Sequence, residues 1–165
     1  MRLAYSTAGL CLLLTFFACQ KDNTICNPLK EEANFLPNSQ VSVQYSQQKQ
    51  RDVYSIENEE YNVFQYKLHH NSCETNNRNT WTEMVAFEIP PGKETFHLEN
   101  KELTKAHCFY QTLNAEGNPL QQPINKGSIR GKKEEHFWSI QVDVETKPSS
   151  TLQTAIHLKF SKVFY

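Results

Sequence analysis

The clearest pattern in the chain is an alternation of apolar and polar side chains with a period of two. It is strongest at residues 138–145, where Trp138, Ile140, Val142 and Val144 alternate with polar side chains. This period is typical of a β-strand that buries one face and exposes the other. The same alternation predicts further strands at residues 41–46, 63–68, 84–89, 96–98 and 156–160. We also expect Trp138 to lie in the hydrophobic core.

Less regular segments complete the expected order of elements. Residues 108–113 and 127–131 have a strand-like composition and are followed or preceded by turn residues. Helical periodicity is weak, and the best candidate is a single turn at residues 101–106. The alternation slips at Ser161 and Lys162, before Val163 and Tyr165, which predicts a β-bulge in the last strand.

The number and spacing of these strands predict an all-β fold. About seven short strands with turn signals every 8 to 12 residues are typical of an antiparallel β-sandwich of the immunoglobulin-like (Ig-like) kind. A small calycin-like barrel is the alternative. The two differ inside: a barrel would enclose a lined cavity, whereas a sandwich would be filled by Trp138, Ile140, Phe160 and their neighbours.

The chain begins with Arg2 and an apolar run at residues 3–17. This run is long enough for the core of a signal peptide and short for a membrane span. Phe16-Phe17-Ala18-Cys19 resembles the lipobox of bacterial lipoproteins, in which a diacylglycerol group is attached to the cysteine before the leader is removed. The resemblance implies that residues 1–18 are a signal peptide and that Cys19 is lipidated. The alternative is a plain secretory leader with Cys19 or a neighbouring cysteine in a disulfide.

The residues after Cys19 suggest a localisation signal and a flexible tether. Gln20-Lys21-Asp22-Asn23 is similar to the signal that directs some Bacteroidetes-type lipoproteins to the outer face of the outer membrane. The resemblance implies a lipid-anchored outer-membrane protein displayed at the cell surface. Residues 19–38 are polar and contain Pro28 and Pro37, so we predict a flexible tether. Residues 39–165 are then one domain.

A second resemblance covers most of residues 85–144. The strand patterns at residues 87–89, 127–131 and 138–142 are similar to those of small uncharacterised Bacteroidetes-type lipoproteins. This resemblance implies the compartment and the β fold, and it implies no activity.

The charge of the chain argues against nucleic-acid binding. The formal net charge is -1, and removal of the leader, whose only charged side chain is Arg2, leaves -2. Proteins that bind nucleic acid usually present a strongly basic face. The one basic cluster, Arg130, Lys132 and Lys133, is followed at once by two glutamates, and we interpret it as a solvated turn.

The cysteines predict one disulfide. The chain has five cysteines; Cys11 is lost with the leader, and Cys26, Cys73 and Cys108 remain besides Cys19. Three thiols in an oxidising compartment favour one bridge and one leftover thiol, although sequence alone does not fix the pairing. We favour Cys73 with Cys108, a bridge that would contribute roughly 3 to 4.7 kcal/mol in the chain-entropy model.

No motif in the chain predicts an enzyme. The G-x-S-x-G, H-E-x-x-H, G-x-G-x-x-G and P-loop signatures are absent, and the spacing of histidines and cysteines predicts no metal site and no cofactor. A hydrolase with dispersed residues is a remote alternative. It would need at least two of Glu57, Glu60, His69 and His107 within hydrogen-bonding reach.

Aromatic residues are the best candidates for binding. Trp81, Tyr54 and Tyr61 carry large rings that provide contact area at low entropic cost, and Trp81 follows a polar loop at residues 72–80. We therefore predict binding or structural support by a non-catalytic domain, with a protein or glycan partner. The alternative is a calycin-like carrier of an apolar ligand or an inhibitor of an envelope enzyme.

Overall fold

The computed structural model describes residues 30–71, 80–114, 119–148 and 154–165. The predicted signal peptide, Cys19, Cys26 and Cys73 lie outside these residues. The described elements are, in chain order, β1 (Lys30–Ser46), β2 (Arg51–Asn71), β3 (Thr80–Ile89), β4 (Thr95–Glu99), α1 (Lys101–Lys105), β5 (Phe109–Asn114), β6 (Pro119–Lys133), β7 (Trp138–Thr146) and β8 (His157–Phe164). No helix within the described residues has both the length and the apolar character needed to cross a membrane.

The strands form one antiparallel sheet in the order β1-β2-β3-β5-β6-β7-β8, with β4 paired to β6. The prediction of an all-β antiparallel fold is therefore confirmed. A sandwich of two separate sheets is not confirmed, because β6 pairs with β5 through residues 119–123 and with β7 from Ile124 onward. The long strand β6 thus makes the sheet continuous.

The sheet curls around a core of aromatic rings. Its buried side chains follow the period of two, and Trp138 is only 4% exposed, as the alternation predicts. The ring of Phe64 on β2 lies 5.2 Å from Trp138 on β7 and 5.6 Å from Phe164 on β8. Because these strands belong to opposite halves of the sheet, the two halves face each other across this main core.

The first and last strands meet along a seam. The backbone N–H of Phe35 on β1 donates to the carbonyl oxygen of Tyr165, just after β8, at 3.2 Å. Lys162 forms an ion pair with Glu31, and the Tyr66 ring stacks on Phe160 at 4.3 Å. The seam therefore has one backbone hydrogen bond, where neighbouring strands elsewhere have a ladder of them.

The predicted β-bulge at Ser161 and Lys162 is wrong. The pairing of β7 with β8 runs without a register shift, and Phe164 occupies the core position at 1% exposure. Lys162 lies on the inner face of the sheet, at a position where the alternation predicts an apolar residue. It is tolerated there because its long side chain reaches Glu31 across the seam.

The β1–β2 hairpin bends sharply in its middle. Pro37 pairs with Asn62, and Ser39 pairs with Asn58, so Asn38 alone faces the three residues 59–61. Asn38 has a positive φ of 53°, which fits this irregularity. The far arm of the hairpin, residues 39–46 and 51–58, folds over the outer face of the sheet and covers a second core made by Val41, Val63, Met84, Ala86 and Phe109.

Polar contacts hold the far arm in place. The backbone N–H of Tyr54 donates to Gln121 Oε1 at 3.1 Å, and Gln121 Nε2 donates to the Tyr54 carbonyl at 2.8 Å. Arg51 donates to the Pro119 carbonyl at 2.7 Å. The predicted tether at residues 19–38 overlaps this hairpin, because residues 30–38 are part of β1.

Strands β4 and β5 lie one after the other along β6. Residues 95–99 pair with residues 128–132, and residues 109–113 pair with residues 119–123. The short helix α1 connects β4 to β5, which confirms the helical turn expected at residues 101–106. Leu103 of this helix is 0% exposed and packs into the main core.

Cys108 carries a free, buried thiol, and burial raises the pKa of this thiol well above its usual range. The predicted partner, Cys73, lies outside the described residues. Asn71, the last residue of β2, pairs with Thr80, and Phe109, the first residue of β5, pairs with Ala86. The end of β2 and the start of β5 are therefore about 20 Å apart along β3, at about 3.3 Å per residue. Two residues beyond Asn71 span at most about 7 Å. This register therefore argues against the Cys73–Cys108 bridge, which needs Cα atoms within about 7 Å.

Candidate functional site

The best candidate site is a groove at one end of the curled sheet, which we call the end groove. It has a volume of about 250 Å³ and lies between β8 and the inner face of β2, β3 and β5. The connections β2–β3, β5–β6 and β7–β8 all leave from this end, as the pairing of Trp81 with Asn114 and of Glu145 with His157 indicates. Its apolar walls are Tyr66, Leu68, Val85, Tyr110, Leu158 and Phe160, and its polar rim is Glu83, His157 and Lys159.

The period of two brings these side chains to the groove. Tyr66 and Leu68 continue the inward positions of β2, and Leu158 and Phe160 continue those of β8. Further along the same strands the space between the two halves of the sheet is filled by rings such as Phe64. The groove is thus the place where the packed core opens to the surface.

A network of polar contacts lines one wall of the groove. Glu83 Oε1 accepts a hydrogen bond from the Tyr110 hydroxyl at 2.7 Å, and Glu83 Oε2 lies 2.9 Å from His70 Nε2. Burial, together with this hydrogen bond to Glu83, raises the pKa of Tyr110 above its usual range. Tyr110 therefore stays protonated and donates its hydrogen bond at physiological pH.

Trp81 lies beside the end groove, two residues before Glu83 on β3. Its indole is 38% exposed and stacks on the imidazole of His70, with centroids 4.4 Å apart and an angle of 7° between the planes. His70 in turn contacts Glu83. The predicted exposed ring is thus connected to the polar wall of the groove. The rest of the predicted binding loop, residues 72–79, lies outside the described residues.

The other two aromatic candidates are elsewhere. Tyr54 lies in the far arm and stacks on Phe109 at 4.7 Å, and burial, with a smaller effect from Asp52, raises its pKa to about 12. Tyr61 lies in the irregular part of β2 and is 36% exposed. The structure therefore does not bring Tyr54, Tyr61 and Trp81 together in one site.

The four residues named for a hydrolase do not form hydrogen bonds with one another among the described residues. His69 Nδ1 lies 3.0 Å from Thr82 Oγ1, and Glu57 Oε1 accepts from Ser55 at 3.1 Å. His107 Nδ1 contacts Glu88 Oε1 at 2.8 Å. Glu57 and His107 line the same surface depression, but no hydrogen bond joins them.

Glu88 is a buried carboxylate that sequence reasoning missed. It is 4% exposed, and its Oε2 accepts from the backbone N–H of Val41 at 2.8 Å while Oε1 contacts His107. Glu88 on β3 therefore connects this strand to β1 and to the turn after α1, which is a structural role. The signal in the sequence was a glutamate at a position in phase with Met84 and Ala86, which face the second core.

Comparisons with known proteins give no match: no family model, no curated protein and no solved structure resembles this chain. Within residues 30–71, 80–114, 119–148 and 154–165, no group of three histidine, cysteine, aspartate or glutamate side chains is placed to hold a metal ion.

Proposed function

We propose that this chain is a membrane-anchored envelope lipoprotein whose single β-domain is non-catalytic and binds a protein or glycan partner at the end groove. The observation that carries the proposal is the groove itself, which combines apolar walls and a hydrogen-bonded carboxylate, with the exposed indole of Trp81 connected to it through His70. Binding sites are typically concave and mostly apolar, with a few polar groups that fix orientation.

The size of the groove favours a partner that inserts one group. Its volume of about 250 Å³ is below the range of about 300 to 1,000 Å³ that is usual for sites enclosing a whole small molecule. An aromatic or aliphatic side chain, or one sugar ring, is of a suitable size. The carrier alternative has less support, because the space between the halves of the sheet is occupied by Phe64, Phe87, Trp138 and Phe164.

The position of the amino end of β1 fits membrane attachment. Lys30 pairs with His69, next to His70, which contacts Glu83 of the groove. Ten residues lie between Cys19 and Lys30, so an extended chain would span at most about 40 Å from one to the other. A lipid on Cys19 would then hold the groove within that distance of the bilayer, where an envelope protein or a surface glycan is within reach.

The anchor is tested by metabolic labelling with a fatty acid. We expect the wild-type protein to incorporate the label and the Cys19→Ser variant to lose it, because the thioether forms on this sulfur. Incorporation of label by Cys19→Ser would contradict the anchor. Protease treatment of intact cells should remove the domain if it is displayed outside, and full protection would place it on the periplasmic side.

The groove is tested by tryptophan fluorescence of the full chain in a neutral detergent, titrated with oligosaccharides and with fractionated envelope proteins. The chain has two tryptophans, and Trp138 is buried. A fluorescence change that is lost in the Trp81→Phe variant therefore comes from Trp81, beside the groove. Leu158→Lys should abolish binding by filling the groove with a charge. Val163→Lys is the matched control, because Val163 on the same strand is 39% exposed. Equal binding by both lysine variants would exclude the groove.

A further inference from the structure

A row of polar side chains crosses four strands on the outer face of the sheet. His97 on β4 pairs with Arg130 on β6, Arg130 pairs with Gln141 on β7, and Gln141 pairs with Ser161 on β8. All four side chains are exposed, and neighbouring strands are about 4.8 Å apart. The row lies on the opposite face of the sheet from the core, so these residues do not contribute to the packing of the domain.

Arg130 differs from the other basic residues of this face in its charge balance. Lys126 pairs with Glu145 at 2.6 Å, Lys132 with Glu134 at 2.9 Å, and Lys159 with Asp143 at 2.7 Å; the two histidines His97 and His157 also lie beside carboxylates. Arg130 has no carboxylate partner among the described residues. The basic cluster interpreted from the sequence as a solvated turn therefore contains one guanidinium that lies on a strand and forms no direct ion pair with a described carboxylate; Glu99 approaches it only through His97.

One edge of the Arg130 guanidinium is already held. Its Nε–H donates to His97 Nε2 at 3.1 Å. The same Nε2 atom also lies 2.8 Å from Glu99 Oε1, so the carboxylate of Glu99 is near this held edge of the guanidinium. The Nη groups of Arg130 have no hydrogen-bond partner among the described residues, so the fork of the guanidinium remains available.

We propose that this face binds an oxyanion, with Arg130 as the charged group and Gln141, Ser161 and Ser128 as neutral donors. A guanidinium presents parallel N–H groups that match two oxygens of a phosphate or a carboxylate. A surface depression of about 390 Å³ is lined by these four residues, together with Asp143 and Lys159. Asp143 forms an ion pair with Lys159 at 2.7 Å, so its charge does not oppose an anion at Arg130 with full strength.

The ligand class is therefore a molecule that carries an oxyanion, either a phosphate group or the carboxylate of an acidic saccharide. This site lies on the outer face of the sheet and the end groove on the inner face; the two share Lys159 on the edge strand β8, whereas Arg130 lines only the outer-face site. The two proposals stand or fall independently.

The test is a proton–nitrogen correlation titration by NMR of the full chain in a neutral detergent. Sodium phosphate and sodium glucuronate are the two probes, each at constant ionic strength. We expect saturable shifts at residues 97, 130, 141 and 161. Saturation by phosphate alone assigns a phosphorylated ligand, and saturation by glucuronate alone assigns an acidic saccharide.

The variants separate a specific site from general charge. We expect Arg130→Gln to weaken binding at least about 10-fold, and Arg130→Lys to weaken it less, because lysine keeps the charge and loses the fork. Lys132→Gln is the matched control, since it removes one positive charge from the same strand and the same face, and it should change affinity less than about 2-fold. The proposal is overturned if neither probe gives saturable shifts, or if Lys132→Gln weakens binding as much as Arg130→Gln.

Discussion

Replacement of Gly131 by alanine tests the packing of the main core most directly. Gly131 on β6 pairs with Phe96 on β4, and a Cβ atom at this position would overlap the Cε1 and Cζ atoms of the Phe96 ring and lie 2.8 Å from Cδ1 of Ile140. Ile140 is fully buried, and the Phe96 ring lies against Phe64, Phe87 and Trp138, so neither neighbour can move freely. Overpacking of this kind costs about 1 to 3 kcal/mol, and we expect the free energy of unfolding to fall by that amount.

The assay is urea unfolding of the wild type, the two single variants Gly131→Ala and Phe96→Ala, and the double variant. If the Phe96 ring is what the new methyl group meets, Gly131→Ala should cost about 1 kcal/mol less in the Phe96→Ala background than in the wild type. Gly92→Ala is the control: a Cβ there meets nothing within 4 Å, and only its positive φ of 77° is strained. An equal cost of Gly131→Ala in both backgrounds would refute the reasoning.

Three further predictions concern the far arm, the tyrosines and the thiol. Gln121→Ala should lower the free energy of unfolding by about 1 to 3 kcal/mol, because it leaves the backbone groups of Tyr54 without partners; hydrogen exchange should then rise at residues 39–58, and unchanged exchange there would contradict the role given to Gln121. Burial raises the pKa values of Tyr54 and Tyr66 to about 12, with Asp52 and Glu31 as smaller causes, so their phenolate absorbance should appear after that of the exposed tyrosines. Since both folded-state pKa values are raised, the stability they contribute is complete below about pH 10 and is lost as pH rises towards 12; a single tyrosine transition near 10 in the folded protein would be the opposite result. Cys108 should resist alkylation until the protein unfolds, and peptide mapping after oxidation should not find it joined to Cys73; rapid labelling of the native protein at Cys108 would contradict its burial.

The sequence predicted the strands whose two faces differ most in polarity. Strand β7 is the clearest case, because its apolar side chains are all buried and, of its polar ones, only Thr146 at the end of the strand is buried. The first half of β2 was missed, because residues 51–60 are mostly polar and lie in the far arm, where one face packs on a small core and the other is in water. For a similar reason the sequence predicts a tether at residues 30–38. The proline and the charged residues there are typical of a linker, whereas the structure has a strand that bends at Asn38.

The arrangement of the strands could not be read from the pattern. Alternation shows which face of a strand is buried and does not show what covers it, so a curled continuous sheet and a two-sheet sandwich have the same signature. The same limit applies to the end groove. Trp81 was recognised as an exposed ring, but the groove depends on Tyr66 meeting Phe160, a contact between strands that are far apart in the chain. The predicted bridge of Cys73 with Cys108 also depended on strand order, whereas the distance between the end of β2 and the start of β5 is set by the register of both strands on β3.

The seam between β1 and β8 has a consequence for motion and folding. Most strands pair with the next strand in the chain, whereas this seam joins two strands from opposite ends of the domain, so we expect it to close late in folding because of the cost in chain entropy. A contact that forms late and has one backbone hydrogen bond is also among the first to open in the native state. Because β8 provides Leu158 and Phe160 to the end groove, transient opening of the seam would widen one wall of that groove and leave the hydrogen-bonded wall of Glu83 and Tyr110 in place. Such local opening would let the end groove accept inserted groups of different widths while the core of the domain stays folded.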